Sequence, residues 1–135
     1  MDKKEFQVKM LLYLSCKSIE EIKKVDDAFQ EDMEDLEAKI QWKIGKTIRG
    51  YQVFKDGEYS FTMDDELEDA DVTIIIKDVD KAKKMFKNDI DELTAIISKD
   101  LEIIGDIQLA MRCHTLFDYF LEYLKPIWPL LDNLI

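Results

Sequence analysis

The residues best equipped for acid–base or nucleophilic chemistry meet in one short stretch, Cys113-His114 with Asp118 close behind. A nucleophile and its base must come within hydrogen-bond reach, and neighbours on a helix point about 100° apart. Cys113 and His114 therefore make no catalytic pair. His114, the single histidine, shares a helix face with Asp118 at i and i+4 and reads as a surface hydrogen bond. Cys16 is far from Cys113 in the chain, with no further sulfur beside either. That usage fits two buried free thiols in a reducing cytosol better than a disulfide framework or a zinc site. The acidic run from Asp64 to Asp71 lacks the spaced ligands and turn glycine of a calcium loop, and reads as solvated. No glycine-rich phosphate loop and no Gly-x-Ser-x-Gly elbow occurs. The reading is of a protein that is no enzyme, with no cofactor and no metal.

What stands out instead is an apolar excess on the segment that holds His114. From residue 106 to 124, Leu109, Cys113, Leu116, Phe120 and Leu124 form one helical stripe. Ile107, Ala110, Met111, His114, Phe117 and Leu121 form the next. A helix resting on a sheet needs an apolar arc of roughly 100° or somewhat more, and these two stripes together exceed it. Three covers are open to the second stripe: the apolar tail around Trp128, a second copy of the chain, or a bound apolar ligand. Methionines such as Met85 and Met111 suit a pocket that adapts to flexible chains.

The elements that must position this helix follow from periodicity. Residues 3–15 predict a short helix with Phe6, Met10, Tyr13 and Leu14 on one side. Ser18 and Glu21 form a capping box ahead of a second helix running to about residue 37. Period two then replaces period 3.6, predicting strands at 40–45, 48–54 and 58–63, with Asp56-Gly57 as a hairpin turn. A fourth strand ends in Ile74, Ile75 and Ile76. Asp78 caps a helix to about residue 87, Asn88 stops it, and Asp89 caps another at 90–98. A fifth strand at 101–104 ends at Gly105, and Asp106 caps the last helix, which Pro126 and Pro129 terminate. This order predicts a single α+β domain, its helices gathered on one face of a five-stranded, mainly antiparallel sheet.

Composition narrows the partners. The 135 residues carry 30 acidic and 19 basic side chains, a net charge of −11, with 47% hydrophobic residues. Such a chain has no cationic surface to displace counterions from nucleic acid, so no nucleic-acid partner is expected. The N-terminus lacks the pattern of a signal peptide, and no apolar run approaches the roughly 20 residues that span a bilayer. A cytoplasmic protein is expected.

Several strings also agree in order and spacing with one family. Ala70-Asp71-Val72-Thr73-Ile74, then Lys87-Asn88, then Leu101-Glu102-Ile103-Ile104-Gly105-Asp106 followed by Ala110, resembles the sterol carrier protein type-two lipid-transfer domain. The hairpin at Asp56-Gly57 corresponds as well, and the resemblance covers roughly residues 20–124. Two positions depart from the family: Asn88 replaces the glycine that ends a helix, and Lys99-Asp100 replaces a Gly-Lys pair, which calls for a reshaped turn there. The resemblance implies an apolar tunnel that binds fatty acyl chains, sterols or phospholipids without catalysis. On that basis the expected lipid-binding residues are Ile74, Ile76, Met85, Phe86, Leu93, Ile97 and Ile103. Ile107, Ala110, Met111, His114, Phe117 and Leu121 on the last helix complete the set, with Trp128 in the tail. The partner is a lipid or fatty-acyl ligand, with transient membrane contact through the apolar C-terminal end. The alternative is a ligand-free homodimer built on the last helix and the tail.

Overall fold

The computed structural model describes residues 1–87 and 89–127. Asn88 and the tail beyond Ile127 lie outside the described residues, and with them the stop expected at Asn88, Trp128, and the tail's part as gate, lid or dimer contact.

Helix α1, Lys3–Val25, is one continuous element, where two helices with a break before Ser18 were expected. Its buried stripe, Val8, Leu11, Leu12, Ser15, Cys16, Ile19 and Ile22, keeps the three-to-four spacing straight through residue 18, and no glycine or proline interrupts it. Ser18 is no cap, since its hydroxyl donates back to the Ser15 carbonyl at 3.0 Å. Phe6, Met10, Tyr13 and Leu14 face outward. The break falls at Asp26, which ends α1 and caps α2, Asp27–Met33, by accepting the Phe29 N–H at 2.9 Å. The remaining helices, α3 (Val79–Phe86), α4 (Glu92–Ile97) and α5 (Ile107–Leu124), are capped by Asp78, Asp91 and Asp106, as α1 is by Asp2. Asp91, not Asp89, caps α4. A carboxylate at a helix start satisfies a free N–H and complements the helix dipole, so part of the acidity is structural.

Strands β1 (Ala38–Ile44), β2 (Ile48–Lys55), β3 (Glu58–Met63), β4 (Val72–Ile76) and β5 (Leu101–Gly105) form one sheet in the order β3-β2-β1-β4-β5. Three pairings are antiparallel and the central one, β1 with β4, is parallel, so the sheet is mixed. Asp56 and Gly57 both take positive φ, 53° and 74°, as the two-residue hairpin requires. The register places Ile40, Gln52, Phe61 and Val72 side by side on one face, with Trp42, Ile74 and Ile103 one step along. The helices pack on that face: α1 over β2 and β3, α5 over β4 and β5.

The acidic connection from β3 to β4 crosses the opposite face and is tied down there. Buried Gln41 accepts the Leu67 N–H at 2.7 Å, Lys39 reaches Asp69 at 2.7 Å, and Lys43 and Arg49 flank Glu66. At its end Gly105 sits at φ 113°, and a Cβ there would stand 2.2 Å from the Asp71 carbonyl oxygen, so only glycine lets β5 close onto β4 and turn into α5. At the departing Lys99-Asp100 pair, Lys99 itself adopts φ 66°, the left-handed conformation that glycine favours.

Candidate functional site

Between α5 and the sheet the core does not close. A cavity of about 90 Å³ remains. Its floor is the helical face of the sheet: Ile40 and Trp42 of β1, Gln52 of β2, Ile74 and Ile76 of β4, Leu101 and Ile103 of β5. Cys16 and Ile19 of α1, with Met85 and Phe86 of α3, supply two walls. Ala110, Cys113, His114 and Phe117 of α5 supply the roof, and Glu92 of α4 stands beside His114. The alternation of the strands explains the floor, because inward residues of neighbouring strands stand in register.

Among the described residues, charge and polarity are confined to two places. Glu92 and His114 face each other at 3.0 Å, both half exposed. The hydrogen bond to Glu92 holds the imidazole's affinity for a proton above its ordinary value, against the opposing effect of burial. His114 thus pairs across to α4, not along its own helix with Asp118. Deep in the floor, Trp42 Nε1–H donates to Gln52 Oε1 at 2.8 Å, Gln52 Nε2 donates to the Tyr59 hydroxyl at 3.0 Å, and that hydroxyl donates to the Cys16 carbonyl at 2.6 Å. Burial pushes the Cys113 thiol up to about 12 and the Cys16 thiol well above its usual range, so both stay protonated. Neither is an activated nucleophile. Among the described residues no group of three His, Cys, Asp or Glu is placed to hold a metal, and no helix is long and apolar enough to cross a membrane.

Of the residues expected at a lipid site, Ile74, Ile76, Met85, Phe86, Ile103, Ala110, His114 and Phe117 come together around this cavity. Leu93, Ile97, Ile107 and Met111 do not: each is at least half exposed, a correction to their inward placement. Helix α4 has six residues and buries only Ala95, so Leu93 and Ile97 turn outward. Ile107 and Met111 precede His114 at helical spacing on α5 and stand exposed. Leu121 packs against the core outside the cavity.

A sequence model of the SCP-2 sterol transfer family matches residues 19–118, which takes in every strand and every wall residue except Cys16. The chain belongs to this family. Among solved structures, sterol carrier protein domain 2 of Helicoverpa armigera is 22% identical, with a TM-score of 0.59 over 82% of this chain and 87% of that one. The palmitated SCP2L2 of Aedes aegypti is 13% identical, with a TM-score of 0.56 over 77% and 91%. The sec-alkylsulfatase Pisa1 of Pseudomonas sp. is 14% identical, with a TM-score of 0.53; the match covers 66% of this chain and only 14% of that enzyme. At these identities the likeness is one of fold. No curated protein matches the sequence.

Within this SCP-2 fold, half of the wall is not among the lipid-binding residues expected from sequence: Cys16, Ile19, Ile40, Trp42, Gln52, Glu92, Leu101 and Cys113. For Gln52 a signal existed. It occupies an inward position of a period-two strand, between Gly50 and Phe54, where a polar side chain is out of place unless it has work to do.

Proposed function

We propose that the chain binds an apolar lipid in this cavity and carries it between membranes without chemical change, the whole chain acting as one lipid-binding unit in the cytoplasm. The observation that carries this reading is the cavity itself, an unfilled space with apolar walls beneath a helix of a lipid-carrier family. The Aedes aegypti relative described as palmitated lends support from the same fold. Each buried methylene contributes about 0.8 kcal/mol, so a chain of about 16 carbons supplies on the order of 10 kcal/mol before ordering costs.

At about 90 Å³ the space holds several water-sized spheres of roughly 10–15 Å³ each, fewer than the carbons of such a chain. The walls must therefore part, and α4 is the wall least held, with Ala95 its one buried residue. Access runs between α4 and α5, past the Glu92–His114 pair. The exposed Leu93, Ile97, Ile107 and Met111 flank that route and suit contact with a bilayer.

Native mass spectrometry, with organic extraction of freshly purified protein, tests the reading. A lipid at one per chain is the expected result. Ligand-free protein that takes up no added lipid overturns it. The same exposed Ile107 and Met111 favour, as a second reading, a homodimer that buries them, and a ligand-free dimer is the outcome that selects it.

A further inference from the structure

The directions of the hydrogen bonds in the cavity floor are all determined. An indole N–H only donates, so the atom of Gln52 that meets Trp42 is the carbonyl oxygen, and the amide nitrogen faces Tyr59. The Tyr59 hydroxyl spends its proton on the Cys16 carbonyl and accepts from Gln52. Gln52 is thereby held from two sides at 6% exposure. A glutamine amide has two N–H groups and two oxygen lone pairs, and these contacts use one of each. Among the described residues the other N–H and the other lone pair have no protein partner, and Gln52 borders the cavity.

Its position sets what it can bind. Among the described residues the one charged pair at the cavity, Glu92 with His114, stands on the α4 and α5 side beside β5. Gln52 is on β2, three strands away in the order β2-β1-β4-β5, about 14 Å at roughly 4.8 Å per strand. Among the described residues no lysine or arginine lines the space between. A carboxylate or phosphate brought that deep would be desolvated with no cation to meet it. A hydroxyl both donates and accepts, and a carbonyl accepts; either finds its complement in the free half of the Gln52 amide.

We propose that Gln52 is the polar anchor of the cavity, taking the hydroxyl or carbonyl oxygen of a neutral lipid inserted oxygen-first. This rests on the lipid-binding reading above and adds the class of ligand: neutral oxygenated lipids are held by their oxygen at the deep end of the cavity, whereas an anionic lipid leaves its headgroup at the mouth and gains nothing from Gln52.

The test is competition for a pyrene-labelled alkane by hexadecan-1-ol, palmitate and hexadecane, on the wild-type chain and on Gln52→Leu. The variant is expected to bind hexadecan-1-ol about five- to tenfold more weakly, the size of one or two neutral hydrogen bonds, with palmitate and hexadecane unchanged. A loss shared equally by all three ligands, or by palmitate and the alcohol alike, or no loss for the alcohol, overturns the anchor while leaving the carrier intact. Should none of the three compete and the labelled alkane itself fail to bind, the carrier reading falls first. A measurement on the wild-type chain stands apart from the variant's folding: in an ¹⁵N-resolved NMR titration, hexadecan-1-ol should shift the Gln52 side-chain amide and the Trp42 indole N–H well beyond what palmitate does. Equal shifts from both ligands also overturn the proposal.

Discussion

Helix α5 has two unlike flanks. Toward α2 it is latched repeatedly: Tyr119 donates to Asp32 at 2.5 Å, Tyr123 to Asp26 at 2.6 Å, Arg112 pairs with Asp35, and the Tyr119 ring meets Phe29 edge-on at 5.2 Å. Toward α4 the described side-chain link is the single Glu92–His114 pair, with the cavity beside it and Ile107 and Met111 of α5 left exposed. Exposed pairs are individually weak. Their number on one flank, set over buried Leu116 and Phe120, makes that side a fixed wall, and their scarcity on the other makes it the side that yields. The two flanks also answer to pH in opposite senses. Hydrogen bonds from Tyr123 and Arg112 hold the carboxyls of Asp26 and Asp35 below their ordinary 3.8. Their contribution is thus present above that value and lost as pH falls through the depressed one. His114 is raised above its ordinary 6.5, so its contribution is full below 6.5 and lost as pH rises through the raised value.

The contrast is broken most severely by placing a charge on the cavity side. Phe117→Asp puts a carboxylate into the apolar roof, and lipid binding should fall by about a hundredfold or more, the effect of desolvating an unpaired charge against the ligand. Thr115→Asp, an equal charge on the exposed α2 flank, should leave binding within about twofold. Equal losses would mean that the two flanks do not differ in the way argued. Far-UV circular dichroism of both variants checks that the fold persists.

Opening on the α4 side is the next effect in size. In wild type, lipid exchange measured by stopped-flow should quicken severalfold as pH is raised from below 6.5 through the raised imidazole value, because the neutral ring binds Glu92 less strongly. Asp91 and Asp118 also face His114 and oppose its deprotonation, which places the rise above the ordinary imidazole range. Glu92→Gln should exchange quickly at every pH and lose most of this dependence. A wild-type rate that does not change with pH would place the access route elsewhere.

Much of the sheet was legible because strand periodicity is local. The hairpin at Asp56-Gly57, the alternation of Tyr59, Phe61 and Met63, and the caps Asp78 and Asp106 all stand where their sequence signals put them. What was illegible depends on contacts distant in sequence. The unbroken α1 passes through Ser15 and Cys16, small residues whose burial no periodicity of large side chains reveals. The parallel pairing of β1 with β4 links strands about thirty residues apart, and it brings Ile40 and Trp42 into the floor. The outward turn of Leu93 and Ile97 follows from the brevity of α4, which buries one residue where a longer helix would bury a stripe. Most of the missed wall shares this cause: Cys16, Ile19, Ile40, Trp42 and Gln52 come from α1, β1 and β2, and nothing local joins them to the last helix.

The smallest effect sharpens the comparison from the fixed side. Tyr119→Phe with Tyr123→Phe removes two hydroxyl-to-carboxylate bonds and leaves both rings, so the Phe29 contact persists. Exposed bonds of this kind contribute little, and the thermal midpoint at neutral pH should fall only slightly. The informative measurement is in acid. Wild type loses the Tyr123–Asp26 contribution as Asp26 takes up a proton below its ordinary range, whereas the variant has already lost it. Stability curves of the two proteins should therefore converge as pH falls below 3.8. Lipid exchange near neutral pH should be unaltered, because neither hydroxyl borders the cavity. Faster exchange in the double variant would show that α5 itself swings to admit lipid, with α2 as its hinge, and the fixed and yielding flanks would have to be exchanged.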